Sequence, residues 1–130
     1  MSLLLDTHIW IWYLQGSPRL STKIRAAIER TYPNVWLSPI SVWEALLLAE
    51  RGRIVVQPNP VEWLGVALEQ FPLTDAPLNR AVALRSRTLH HTAKDPADRF
   101  LLATADVYEL RLATADRQLL KSREVATIGP

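Results

Sequence analysis

Cysteine is absent from the 130 residues, so disulfide frameworks, thiolate zinc sites and cysteine nucleophiles are excluded together, and a reducing compartment fits. Long hydrophobic runs are absent too. The longest apolar stretch, Ile9 to Leu14, falls far short of the roughly 20 residues needed to cross a bilayer, and no basic segment precedes the short apolar run Leu3 to Leu5. These features predict a cytoplasmic protein with no membrane attachment. Lysine is scarce, with three against twelve arginines in a chain of net charge +2. Arginine is the better fork for phosphate, which permits a nucleic-acid partner; ordinary surface arginine in an arginine-rich proteome is the plain alternative. The remaining composition, 48% hydrophobic and 22% charged, is that of one globular domain over residues 1–130, long enough to build a core without staples.

The apolar run Leu3–Leu5 predicts a strand that stops at Asp6, with a helix from Thr7 to Gln15 ended by Gly16, Ser17 and Pro18. Ile24, Ala27 and Ile28 mark an amphipathic helix over 21–30. Val35–Leu37 predicts a buried strand. Ser38 and Pro39 then offer an N-cap and a first helical position for a helix reaching about Arg51, before Gly52. Arg53–Val56 reads as a short extended piece, followed by a loop, a helix over 61–70, a strand over 71–74 and a helix over 78–89. Asp95, Pro96 and Asp98 open the next helix. Strands over 110–114 and 125–128, with a short helix over 117–120, complete the chain. Strands alternating with helices argue for an α/β protein with a parallel sheet covered on both faces. One pentapeptide, Leu-Ala-Thr-Ala-Asp, occurs at 102–106 and again at 112–116; the first copy continues a helix and the second ends a strand.

Four acidic residues stand where burial or topology makes them conspicuous. On the helix after Pro39 the apolar stripe reads Ile40, Trp43, Leu47, and Glu44 shares it. A carboxylate facing a core costs several kcal/mol unless paired, protonated or bound to a cation; a slight helix rotation would instead leave Glu44 at the stripe's edge beside Arg51 or Arg53. Asp98 heads the inward stripe of its helix, although a capping role shared with Asp95 also accounts for it. Asp6 and Asp116 follow the C-terminal ends of strands, the edge where open α/β sheets bind ligands, and either also serves as a plain N-cap. Converged on one sheet edge, four carboxylates without thiols or a histidine cluster suit a hard cation, Mg²⁺ or Mn²⁺.

The segments Leu4-Leu5-Asp6-Thr7-His8, Ser41-Val42-Trp43-Glu44, Asp95-Pro96-Ala97-Asp98-Arg99 and Ala113-Thr114-Ala115-Asp116 together resemble PIN-domain nucleases, and most of all the VapC-like ribonuclease toxins of type II toxin–antitoxin systems. The resemblance runs from residue 3 to about 120. It implies a three-layer α/β/α sandwich with a central parallel sheet and an acidic pocket at its C-terminal edge. It assigns Asp6, Glu44, Asp98 and Asp116 as the four catalytic, metal-binding acids, with Asp95 and Thr114 in support. The gap Thr92-Ala93-Lys94 after His91 is longer than this branch leads one to expect.

The reading that follows is a Mg²⁺- or Mn²⁺-dependent endoribonuclease. Asp6 and Asp98 would be the strongest ligands, Glu44 and Asp116 would complete the site or help a second ion, and Arg99 and Arg117 would hold flanking phosphates. His90 and His91 read as solvated loop residues rather than ligands, and His8 as lying beneath the pocket or at its lip. Trp10, Trp12, Tyr13, Trp43 and Trp63 invite base stacking, but large aromatics at helical spacing more often bury themselves. Their area favours an apolar groove or self-association. The resemblance adds a cognate antitoxin that covers the pocket, and a homodimer. Two rivals are a receiver-like signalling module, which would want an acidic pair after the first strand and a strand-end lysine that this chain lacks, and a degenerate PIN domain that only binds RNA or protein, against which the four intact acids argue.

Overall fold

The computed structural model describes residues 2–57, 59–90 and 92–130. Five short strands form one sheet: β1 (Leu3–Leu5), β2 (Val35–Leu37), β3 (Thr74–Asp75), β4 (Arg111–Ala113) and β5 (Thr127–Ile128). Every pairing is parallel and the spatial order is β3-β2-β1-β4-β5. The chain therefore grows outward from β1 to one side, then returns to β1 and grows to the other. This order creates a crevice at the C-terminal ends of β1 and β4, the topological switch point at which α/β sheets bind their ligands.

Alternation along the strands divides the core. Leu3 and Leu5 face a layer built from α1 (Thr7–Gln15), α2 (Thr22–Thr31), α3 (Pro39–Glu50) and α4 (Pro60–Gln70), where Ile9, Trp10, Ile24 and Ile28 are buried. Leu4 and Leu112 face the opposite layer, where α5 (Arg80–Thr88) and α6 (Pro96–Val107) bring Val82, Leu101 and Leu102. This is the three-layer α/β/α arrangement with a central parallel sheet, and the switch of faces at each residue follows from the strand period of two. A last short helix, α7 (Arg117–Leu120), follows β4.

Several boundaries differ from the sequence expectation. The short extended piece expected at Arg53–Val56 joins no strand of the sheet: Arg53 and Ile54 lie in a bend that follows the turn at Arg51 and Gly52. The third strand is Thr74–Asp75 instead of 71–74, because Phe71 closes α4 and stacks on Tyr13 and Tyr32, and Pro72 has no N–H to give a ladder. Helix α5 starts at Arg80, since the Asn79 side chain accepts from the Val82 N–H and so caps it. Helix α3 ends at Glu50, and Gly52 takes the left-handed conformation (φ +69°) that turns the chain away. The expected stripe on α3 is also rotated: Ser41 and Ala45 are its buried residues, while Trp43 is 55% exposed.

Candidate active site

The strand-end carboxylates are fixed by the same backbone groups that end the strands. Asp6 follows β1 and caps α1, with its Oδ1 accepting from the Thr7 N–H at 2.7 Å. Its Oδ2 accepts from the Thr114 hydroxyl at 2.6 Å, across 108 residues of sequence. That hydroxyl also accepts from the Asp116 N–H at 3.0 Å. Buried Thr114 therefore latches the first strand-end acid to the turn carrying the fourth. Asp116 in turn caps α7, accepting from the Gln118 N–H at 2.8 Å. Capping does not remove either aspartate from the crevice: the cap on Asp116 engages Oδ1 alone, both oxygens of Asp6 are hydrogen-bonded but each keeps a further lone pair, and both side chains line the pocket.

Glu44 reaches the same crevice from α3. Its Oε1 lies 2.5 Å from the Thr7 hydroxyl, which lies 2.9 Å from the Ser41 hydroxyl. A hydroxyl carries one proton, so Thr7 donates to the carboxylate and accepts from Ser41. Thr7 and Ser41 stand in the segments that carry the resemblance but have no role assigned there, although their spacing carried the signal: Thr7 adjoins Asp6, and Ser41 sits one helical turn before Glu44. From the other layer, Asp95 caps α6 through the Ala97 N–H at 2.9 Å, and Asp98 occupies its first turn.

Five carboxylates, those of Asp6, Glu44, Asp95, Asp98 and Asp116, line one pocket of about 460 Å³ together with His8, exposed at its lip. Their mutual field and partial burial disfavour charge. Burial raises Asp6 above the ordinary aspartate range, opposed by the hydrogen bonds from Thr114 and Thr7. Glu44 is raised chiefly by burial as well, with the Thr7 hydrogen bond holding it down. Asp98 is pushed up to about 7, first by burial and then by repulsion from Asp95, Asp6, Asp116 and Glu44. Against these five carboxylates the described lining of the pocket sets one arginine, Arg19, and His8. Among the described residues no three histidine, aspartate or glutamate side chains form a ready metal cluster; the acids ring the pocket rather than close on one point. An all-oxygen ring of this kind fits Mg²⁺ or Mn²⁺, which keep much of their water and bind few protein carboxylates.

The arginines assigned to phosphate divide differently. Arg99 points away from the pocket: its guanidinium donates to the carbonyls of Ser86 (2.7 Å), Leu89 (3.0 Å) and Ala93 (3.2 Å), tying α6 to the end of α5 and the segment after it. These carbonyl partners give it a structural role, and among the described residues it is not part of the pocket's lining, where the expected phosphate contact would place it. Arg117 is exposed at the start of α7 beside Asp116, outside the described lining of the pocket. Arg19, which the sequence did not single out, lines the pocket instead. His90 is exposed next to Glu124, away from the acids, and His91 lies outside the described residues. Of the tryptophans, Trp10 is fully buried.

The fold and this site define a class. The sequence pattern of the PIN domain matches residues 3–124, and the chain belongs to the PIN domain family. Ribonuclease VapC22 of Mycobacterium tuberculosis (strain ATCC 25618 / H37Rv) is 34% identical over 125 residues, covering 94% of this chain and 92% of that protein. Among solved structures, FitAcB from Neisseria gonorrhoeae superposes with a TM-score of 0.72 at 26% identity, covering 98% and 97% of the two chains. The DNA-bound VapBC from Salmonella typhimurium reaches 0.76 at 17% identity over 99% and 98%, a likeness of fold. The family match sets aside the receiver-like alternative. Among the described residues no helix is long and apolar enough to cross a membrane.

Proposed function

We propose that this protein is a metal-dependent endoribonuclease, the toxin of a toxin–antitoxin pair acting in the cytoplasm, with Asp6, Glu44, Asp98 and Asp116 as its catalytic acids. The observation that carries the reading is the convergence of five carboxylates at the switch point of the sheet, in a chain whose relative is named a ribonuclease. Asp6 and Asp98 would hold one Mg²⁺ or Mn²⁺, with Glu44 and Asp116 completing the site or helping a second ion, and Asp95 and Thr114 in support. When bound, the ion supplies polarisation of the scissile phosphate and a lowered pKa for water.

The chain's own part is positioning. Thr114 keeps Asp6 aimed and favours its ionised form by donating to Oδ2. Thr7 fixes one oxygen of Glu44 and leaves Oε2 to orient water or accept its proton. Asp98, raised toward neutrality, stays protonated more readily than an exposed aspartate until positive charge arrives.

A cognate antitoxin is the expected protein partner, as several structural neighbours are toxin–antitoxin complexes. Beside the acids runs an apolar groove of about 350 Å³ lined by Ile40, Trp43, Leu47 and Phe100, with Glu44 and Asp95 at its rim. An apolar segment laid there would cover the acids. We also propose a homodimer, to which the exposed Val61 and Val66 of α4 contribute apolar surface. The direct test is cleavage of a broad RNA pool by the wild type and by Asp6→Asn. Mg²⁺-dependent new ends in the first and none in the second are expected; equal cleavage by both would remove the acids from the chemistry.

A further inference from the structure

Five carboxylates repel the phosphates of any RNA that approaches them, and Arg19 is the one arginine or lysine among the described residues lining their pocket. Arg19 also lines a second cavity. This is a trench of about 560 Å³ between α1 and the turns after α3, and it shares His8, Trp12 and Arg19 with the acidic pocket, so the two are continuous. Gln15, Ser17 and Arg53 extend the trench, and its described lining contains no carboxylate. Neither Arg19 nor Arg53 is ion-paired among the described residues, in contrast to Arg85, which Asp106 and Glu124 engage. The half-buried Trp12 ring lies 5.9 Å from that of His8, with Trp12 itself anchored against the core.

We propose that this trench binds single-stranded RNA on one side of the scissile bond, with Arg19 and Arg53 on successive phosphates and Trp12, flanked by His8, beneath a base. The proposal rests on the ribonuclease reading of the adjoining pocket and names the path its substrate takes. A positively charged groove with an aromatic platform is the arrangement that holds a single strand, because bases freed from a duplex offer their faces for stacking and the cations follow the backbone. The neighbouring apolar groove is a poorer path: it carries one arginine, Arg51, against the two carboxylates of Glu44 and Asp95, whereas the trench carries two arginines and no carboxylate among its described lining. The trench also explains why the strand enters against the field of the acids: Arg19 lies in both cavities and bridges the change of sign.

The test reads binding apart from chemistry. A fluorescein-labelled, mixed-sequence 10-nucleotide RNA is titrated in EDTA with full-length chains carrying Asp98→Asn, and anisotropy gives Kd across a salt series. Adding Arg19→Ala and Arg53→Ala together should lower the slope of log affinity against log salt by about 1.4, from about 0.7 for each phosphate lost on a single strand. Trp12→Leu should weaken binding about tenfold with little change in slope. Arg30→Ala, on the exposed end of α2, should match the parent, and duplex RNA of the same sequence should compete poorly. The arginine pair is exposed, so its removal leaves the fold in place even where Trp12→Leu disturbs packing. An unchanged slope and Kd in the double-arginine variant, no binding by the parent, or equal competition by duplex would each overturn the proposal. Failure of the unaltered chain to cleave RNA in Mg²⁺, with these binding results intact, would instead overturn the ribonuclease reading.

Discussion

Replacing Asp98 with Asn should stabilise the metal-free protein. The side chain sits in the first turn of α6, half-buried, facing four other carboxylates, and its pKa is pushed from 3.8 to about 7. At about 1.36 kcal/mol per pH unit, full conversion corresponds to a penalty of about 4 kcal/mol for the ionised form. The side chain is partly exposed, and screening by solvent reduces the penalty to about 2 kcal/mol. Asn also forgoes the favourable interaction of a carboxylate with the helix N-terminus, about 0.5 kcal/mol. The net gain is about 1–2 kcal/mol at pH 8, or roughly 3–8 °C in Tm for a chain of this size. The sign follows from proton linkage. Between pH 3.8 and about 7 the unfolded chain has released the Asp98 proton while the folded chain keeps it, so wild-type stability falls as pH rises through that window. The advantage of Asp98→Asn should therefore be full above pH 7 and vanish toward pH 4. Thermal and urea unfolding in EDTA at pH 4, 6 and 8 measures it. A variant less stable than wild type at pH 8, or a difference that does not change with pH, would refute the account of a carboxylate cluster held against its own repulsion.

Saturating Mg²⁺ should raise the Tm of the wild type more than that of Asp98→Asn, because a ligand of the folded state stabilises by mass action and the variant binds it less well; equal shifts in calorimetry would count against Asp98 as a ligand. Thr114→Val should cost about 1–2 kcal/mol in urea unfolding, since the Asp6 oxygen and the Asp116 N–H lose a shared partner, and cleavage should fall with it. Arg99→Ala should unfold at lower urea by more than about 2 kcal/mol, leaving three carbonyls without their donor; a variant that is fully stable but loses RNA affinity would restore it to phosphate binding. Asp106→Asn should keep full cleavage despite its identical pentapeptide, with a small loss of stability from its bond to Arg85 at 2.6 Å.

The acids were legible because their positions broke local rules: Asp6 and Asp116 at strand ends, Asp98 and Glu44 on helices that otherwise read as apolar. The pentapeptide repeat was separable on context alone, with one copy inside α6 and the other leaving β4. Helix rotation was less visible. Ile40, Trp43 and Leu47 read as an inward stripe, yet they line an open groove, while the small residues Ser41 and Ala45 face inward because α3 packs closely there. Arg99 looked like a phosphate ligand because it follows Asp98; only the packing of α6 against the end of α5 and the segment after it brings it three carbonyls. Arg19 gave no local sign at all. Its place beside acids from β1, α3 and α6 comes from the topology, which a pattern of period 2 or 3.6 does not encode.

Product chemistry tests the central claim most directly. Water attacking the phosphate in line leaves a 5′-phosphate and a 3′-hydroxyl, whereas attack by the ribose 2′-hydroxyl leaves a 2′,3′-cyclic phosphate. The ends of RNA cleaved by the wild type should be 5′-phosphorylated, should form in Mg²⁺ and not in EDTA, and should still form when the scissile nucleotide carries 2′-deoxyribose. Cyclic phosphate ends produced equally well in EDTA would contradict the account and move catalysis from the carboxylates of Asp6, Glu44, Asp98 and Asp116 to the histidines.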